Sequence, residues 1–241
     1  METKQQSLSS EIELTADGSH TLFVPSMNEH YHSVNGAKTE AEHIYINYGL
    51  RESCASTLHV LEIGFGTGLN AFLTLIEAQK LQKKTIYTSL ELYPLPLEKV
   101  QKLNYPDVIY PEFASLYYNL HRATWNEPCE ITPDFSLLKV NIDFTHIPHP
   151  NESAKWSLGK SGNQFVSYDV VYFDAFAPEK QPEMWNQELF DAIYASMSHK
   201  GILTTYCAKG VIRRMLQSSG FTVERLPGPP GKREVLRAIK L

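Results

Sequence analysis

A chain of 241 residues and 27.4 kDa is long enough for one large domain with a well-buried core, or for a domain with an insertion, and short for two independent domains. With 42% hydrophobic and 20% charged residues and a mean hydropathy of -0.29, its composition excludes disorder, collagen-like structure and coiled coil as whole-chain descriptions. The net charge of -5 argues against a generally cationic nucleic-acid binder, but the average hides an asymmetry. From Lys209 onward there are eight basic residues against two acidic ones, a balance of +6, leaving 14 basic against 25 acidic in the first 208 residues. No apolar run approaches the roughly 20 residues that span a bilayer, and the first residues lack an apolar signal core, so a cytoplasmic address is expected. Cys54, Cys129 and Cys207 have neither zinc-site spacing nor disulfide-scaffold density, and are expected to be reduced thiols.

Taken in order, 12–14 and 20–24 alternate like short strands around Asp17-Gly18, a turn signal, and predict a small hairpin before the main fold. Residues 57–63 form a β-rich run ending at Gly64, after which Leu69, Phe72, Leu73 and Ile76 recur at helical spacing. A second strand-to-helix unit follows, with 85–92 as strand and Pro94 and Pro96 before Leu97, Val100 and Leu103. Residues 104–134, broken by four prolines, read as an irregular insertion. Strands are expected at 135–142 and 168–173, separated by a polar loop or frayed helix around Pro148 to Gly162. A helix near 185–197, a strand at 201–207, a helix stopped by Gly220 and a closing strand pair at 221–226 and 235–239 complete the chain. The alternation predicts an α/β, Rossmann-like fold: a mostly parallel twisted sheet with an antiparallel C-terminal edge strand. In domain terms, residues 1–56 are expected to be an N-terminal β extension packed on a main domain at 57–241.

The most suggestive turn is Glu62-Ile-Gly64-Phe65-Gly66-Thr-Gly68-Leu-Asn70, set between a predicted strand and a predicted helix. A dinucleotide fingerprint would need a glycine where Leu69 stands. The G-x-G-x-G spacing with an acid two residues ahead suits S-adenosyl-L-methionine instead, with Glu62 drawing the cofactor's ammonium group; the bland alternative is a structural turn. Glu91, at the end of the next strand, is placed to accept from ribose hydroxyls, unless it is simply solvated. Asp143 closes the third strand as an acceptor for an adenine amino group or as a helix N-cap. Asp174 ends the buried run 168–173, where the ligand crevice of an open α/β sheet lies. Phe176 and Trp185 beyond it are either flat platforms for a base or core aromatics. His30, His32, Glu40, Glu42 and His43 lack a fixed third-ligand spacing, so no metal is expected there and a pocket lid or packed cap is.

Together with Glu29-His-Tyr-His-Ser33, the glycine loop, Asp174-Ala-Phe-Ala-Pro178, Met184-Trp185, Val211-Ile-Arg-Arg214 and Gly231-Lys-Arg-Glu234 run in order from about residue 15 to the end. This set resembles the methyltransferases that complete 5-methylaminomethyl-2-thiouridine at the tRNA wobble position. It departs modestly, with Ala175 where the family often has Gly and with Cys207-Ala-Lys209-Gly in place of a smaller run. The match is poor over 104–165, which weakens the carry-over to Asp143. The resemblance implies methyl transfer from S-adenosyl-L-methionine to the amine of 5-aminomethyl(-2-thio)uridine in a tRNA anticodon stem-loop, downstream of the enzymes that form the aminomethyl group. Asp174 is then the catalytic carboxylate. Glu62, Gly64, Phe65, Gly66, Gly68, Asn70, Glu91, Asp143 and Asp174 are the cofactor set, and Arg213, Arg214, Lys232 and Arg233 are the tRNA contacts. Members fused to a flavin-dependent oxidase are longer, and at this length a stand-alone methyltransferase is expected. Competing readings are a methyltransferase acting on another amine and an aminopropyltransferase, which shares the sulfonium donor and amine nucleophile and needs an acidic channel.

Overall fold

The computed structural model describes residues 9–146, 160–161, 164–165 and 167–241, so most of the polar segment around Pro148 to Gly162 lies outside the described residues. The N-terminal part forms a three-stranded sheet, β1 (Glu11–Leu14), β2 (His20–Val24) and β3 (Glu29–His30), then a short helix α1 (Ala37–Ala41) and a π-helical turn at Glu42–Asn47. The expected hairpin is present, with β1 antiparallel to β2 and Gly18 in the left-handed region between them. Asp17 does more than turn the chain. It accepts hydrogen bonds from Ser19 N–H and from both the N–H and hydroxyl of Thr39, tying the hairpin to α1. Burial alone would raise its carboxyl, but these donors hold it at about 2.

The main sheet begins with β4 (Thr57–Ile63), α2 (Leu69–Leu81), β5 (Lys84–Glu91) and the short α3 (Leu97–Val100). Next come α4 (Tyr105–Val108), α5 (Ala114–Arg122), β6 (Pro128–Thr132) and β7 (Phe135–Asn141), then a small pair β8 (Lys160–Ser161) and β9 (Gln164–Phe165). The chain closes through β10 (Tyr168–Phe173), α6 (Gln187–Ser196), β11 (Met197–Thr205), α7 (Gly210–Ser218), β12 (Thr222–Pro227) and β13 (Glu234–Ile239). The eight-stranded order is β12-β13-β11-β10-β4-β5-β7-β6, with the five strands from β11 to β7 parallel.

One expectation needs correction. Residues 104–134 are not an irregular insertion, because α4, α5 and β6 fill most of the segment. Their prolines sit where proline is tolerated, Pro106 in the first turn of α4 and Pro128 at the start of an outermost strand. The expected antiparallel C-terminal edge is present, with β13 antiparallel to β11 and β12, and the opposite edge is antiparallel too, since β6 pairs antiparallel with β7. The helix expected near 185–197 begins later, at Gln187, because Asn186 caps it by accepting from Leu189 N–H at 3.0 Å.

Alternation along the central strands explains the layers. On β10, Val170 and Tyr172 point to one face and Val171 and Phe173 to the other. The first face packs against α2, α4 and α5 through Phe72, Leu75, Tyr105, Tyr117 and Leu120, and the second against α6 and α7 through Phe190, Ile193, Ile212 and Leu216. Strands buried on both faces read as nearly continuous apolar runs, which is the pattern of 57–63 and 168–173. From β4 the chain winds outward through β5 to β7, then returns to β10 on the other side of β4. The switch point therefore lies between β4 and β10, and a ligand crevice belongs at the carboxyl ends of those two strands. No helix among the described residues is long and apolar enough to cross a membrane.

Candidate active site

At that switch point is a crevice of about 390 Å³, at the lower end of the range for small-molecule sites. Its floor is the turn after β4, from Gly64 to Thr67, with Asn70 in the first turn of α2. One side is Glu91 to Tyr93 after β5 and Ile142 to Thr145 after β7; the other is Asp174 to Phe176, Met184 and Tyr206. Over it lie residues from the N-terminal segment, among them Tyr31 and His32, and Lys232 from the loop between β12 and β13. His30 to His32, expected as part of a pocket lid or a packed cap, line the crevice. Among the described residues no group of three His, Cys, Asp or Glu side chains is arranged to hold a metal ion.

Asp174 is the best-positioned carboxylate. Its N–H donates to Ile63 O, which locks the end of β10 to the end of β4. Oδ1 accepts from the Tyr45 hydroxyl at 2.6 Å and Oδ2 from Asn70 Nδ2 at 2.8 Å. Burial pushes the carboxyl up from its ordinary value, while His32, Tyr45 and Asn70 act in the opposite direction. Tyr45, buried in the π-helical turn, has no local sequence feature that marks this contact. Glu91 accepts from Gly66 N–H at 2.9 Å and from Tyr93 N–H at 2.7 Å, so its carboxylate is fixed facing the crevice. Asp143 accepts from Thr145 N–H and hydroxyl, the capping role that stood beside the adenine role, and still lines the crevice.

The glycine loop lines the crevice and is also braced by protein. The Thr67 carbonyl accepts from the Tyr117 hydroxyl at 3.0 Å and from His121 Nε2 at 3.1 Å, while Thr67 Oγ1 meets His32 Nε2 at 2.8 Å. Burial and the neighbouring Lys139 depress the His121 imidazole to about 3, so it is neutral and donates. Lys139 is itself 0% exposed, donating to His121 O at 2.7 Å with its ammonium near the Trp125 and Phe65 rings. A Cβ on Gly66 would meet the Tyr31 ring at 2.9 Å, and one on Gly68 would meet His121 Nε2 at 2.5 Å. Gly68 does not line the crevice. It starts α2 at φ +71 and leaves room for His121. Gly68→Ala is therefore expected to cost about 2–3 kcal/mol, from the left-handed backbone plus the clash. Denaturant melts of G68A and of G68A/H121A check it: the double variant should recover the clash portion only.

The structure narrows three further expectations. Glu62 is 0% exposed and lies under the loop, outside the residues that line the crevice. Of the two aromatics, Trp185 is a core residue, its indole donating to Phe176 O and packed on Phe173, which leaves Phe176, half-buried, lining the crevice. The basic C-terminal stretch is not one patch. Lys209 pairs with Glu179, Arg225 with Glu234, and Arg237 with Glu224 and Glu52, while Lys240 donates to the carbonyls of Tyr194 and Met197. Lys232 turns inward to Glu40 at 2.7 Å and over the Tyr206 ring, so it belongs to the crevice wall. Among the described residues Arg213, Arg214, Arg233 and Lys240 make no ion pair, and of these four Lys240 is held by carbonyls instead.

Comparison with known proteins fits this geometry. A family profile described as S-adenosyl-L-methionine-dependent methyltransferase matches residues 153–241. The crystal structure of MNMC2 from Aquifex aeolicus covers 98% of this chain and 71% of its own, with TM-score 0.75 and 23% identity. The fold is that of the S-adenosyl-L-methionine-dependent methyltransferases. In sequence, the chain is 29% identical over 244 residues to the tRNA 5-methylaminomethyl-2-thiouridine biosynthesis bifunctional protein MnmC of Pseudoalteromonas atlantica. That alignment covers 95% of this chain and 33% of the relative, so the chain spans about a third of its length. Spermidine synthase from Thermotoga maritima shares the fold more distantly, with TM-score 0.54 and 13% identity over 97% of this chain and 72% of that one.

S-adenosyl-L-methionine is the cofactor supported by the family match and the fold, and the crevice fits it. Six carboxylates line the space, those of Glu29, Glu40, Glu91, Asp143, Asp174 and Glu183, against the single ammonium of Lys232. A lining of that sign favours cationic ligands. Glu91 presents two acceptor oxygens suited to a diol, and Leu92, Ile142 and Phe144 offer apolar surface for a flat ring.

Proposed function

We propose that this chain is a tRNA methyltransferase that converts wobble 5-aminomethyl(-2-thio)uridine to its methylaminomethyl form. The observation that carries the reading is the carboxylate of Asp174, clamped by Tyr45 and Asn70 at the acidic switch point and flanked by the aromatic rings of Tyr31, Phe176 and Tyr206. An alkylamine has a pKa of about 10, and it must lose a proton before its nitrogen can attack. Bound S-adenosyl-L-methionine supplies an electrophilic methyl group on a sulfonium cation. Asp174 orients the substrate's N–H and accepts the proton as the nitrogen becomes cationic. Because burial raises its carboxyl, it is a better acceptor than an exposed aspartate. Tyr31 and Phe176 meet edge to face with centroids 5.1 Å apart, and Phe176 provides a surface for a base turned out of the anticodon loop.

The name of the bifunctional relative supports the nucleoside assignment, and the unpaired Arg213, Arg214 and Arg233 support an RNA partner. α7, which carries Arg213 and Arg214, starts just after Tyr206, which lines the crevice, and Arg233 adjoins Lys232, which also lines it. The acidic lining would also suit a polyamine, the aminopropyltransferase reading. One assay separates them: the protein and methyl-labelled S-adenosyl-L-methionine are mixed with tRNA from cells lacking the modification, and the RNA is digested to nucleosides. Label in the methylaminomethyl nucleoside is expected. Unlabelled tRNA, with product formed instead from decarboxylated cofactor and a diamine, would overturn the proposal.

A further inference from the structure

Glu62 is a buried ionisable group left unused by the proposed function. On β4, beneath the crevice, its Oε2 accepts from Ser89 Oγ at 2.6 Å, while Oε1 is buried with no hydrogen-bond partner. The side chains against it are Asn70 of α2 and Tyr87 of β5, with Tyr172 and Asp174 of β10 completing its titratable surroundings. Asn70 Oδ1 and Tyr87 Oη are likewise buried without partners. An unpaired buried carboxylate and a buried carbonyl with no donor are both costly, and here they adjoin. Turning the Asn70 amide over is no remedy, because its carbonyl would then face the Asp174 carboxylate, acceptor against acceptor. A carboxylic acid O–H is the one donor that Glu62 can provide.

We propose that Glu62 carries a proton in the folded protein and is a positioning residue: its O–H satisfies Asn70 Oδ1, which fixes the amide so that Nδ2 points at Asp174. The two acids then share one negative charge, held on Asp174 where the crevice is. Burial pushes the Glu62 carboxyl well above its ordinary 4.5, the Asp174 charge adds to this, and Ser89, Tyr87 and Asn70 act against it. Above pH 4.5 the folded protein therefore binds a proton that the unfolded chain has released, and stability falls as pH rises from there. The proton on Glu62 stands apart from the methyltransferase reading; its consequence for Asp174 rests on that reading.

Three measurements test it. Isotope-edited infrared difference spectra of wild type against Glu62→Gln at about pH 7.5 should show a protonated-carboxyl band that the variant lacks; no band overturns the proposal. Glu62→Gln, which keeps a donor for Asn70, should melt at or above wild type at that pH, with the gain shrinking toward acid; a lower melting temperature counts against it. In turnover, Glu62→Gln should stay within about twofold of wild-type kcat, while Glu62→Leu should lose about 30- to 100-fold in kcat with cofactor KM nearly unchanged. Glu62→Leu at wild-type kcat, or Glu62→Gln losing chiefly cofactor affinity, would overturn the positioning role. If wild type methylates no tRNA, the functional reading fails while the infrared and melting results still decide the proton.

Discussion

Asp174→Asn is expected to bind S-adenosyl-L-methionine with near wild-type affinity and to lose about 10²- to 10⁴-fold in turnover on aminomethyl-modified tRNA. The amide is isosteric but neutral, and it cannot take a proton from an amine. It also disturbs the clamp, since Tyr45 and Asn70 both donate to the carboxylate and the amide offers only one acceptor oxygen to the pair. The fold should survive. Burial raises the Asp174 carboxyl, so the folded state binds protons more tightly than the unfolded chain and the ionised form costs stability at neutral pH. A neutral amide removes that cost and offsets the lost hydrogen bond. Calorimetric titration of the cofactor and single-turnover kinetics separate the effects. Wild-type turnover in the variant removes Asp174 from the mechanism, and lost cofactor binding makes it a binding residue instead.

The second large effect is expected from the three arginines of the C-terminal stretch. Replacing Arg213, Arg214 and Arg233 together by alanine should weaken tRNA binding about 10²-fold at low salt and lower the salt slope of log affinity by about 2–3, because each phosphate contact releases condensed counterions. Lys232→Ala should leave the slope unchanged, since its ammonium already neutralises Glu40 inside the crevice wall. Filter binding across a salt series reads both. A triple variant with the wild-type slope would place the RNA elsewhere, and a Lys232 variant that lost a unit of slope would return that residue to the RNA surface.

These two expectations drew unequally on the sequence. The strand ends carrying Glu91 and Asp174 were legible because strands buried on both faces are continuous apolar runs, and the acid that ends such a run stands out. The turn from Gly64 to Asn70 was legible for the same reason, yet its purpose was only half read. Gly68 is spared a Cβ for His121, which sits on a helix that proline-rich composition disguised. Tyr45 lies in a single π-helical turn without an apolar period, so nothing local marks it. The charge of the C-terminal stretch misled because cross-strand partners are invisible in a linear count: Arg237 faces Glu224 in the register of β12 and β13. Glu62 was assigned from its place in a motif, whereas its chemistry is set by the Ser89, Tyr87 and Asn70 that surround it.

The closure of the N-terminal segment onto the β12–β13 loop has a consequence for folding. Glu40 pairs with Lys232, Gly231 abuts Asn35, and His43 Nε2 meets Pro227 O across 184 residues of chain. The roof of the crevice is thus made of contacts with nearly the largest sequence separation the chain allows, and these form late because loop closure must come first. An intermediate with a finished central sheet would still have an open, wet crevice. Ligand affinity should consequently appear only with the final folding phase, making cofactor binding a reporter of the complete native state.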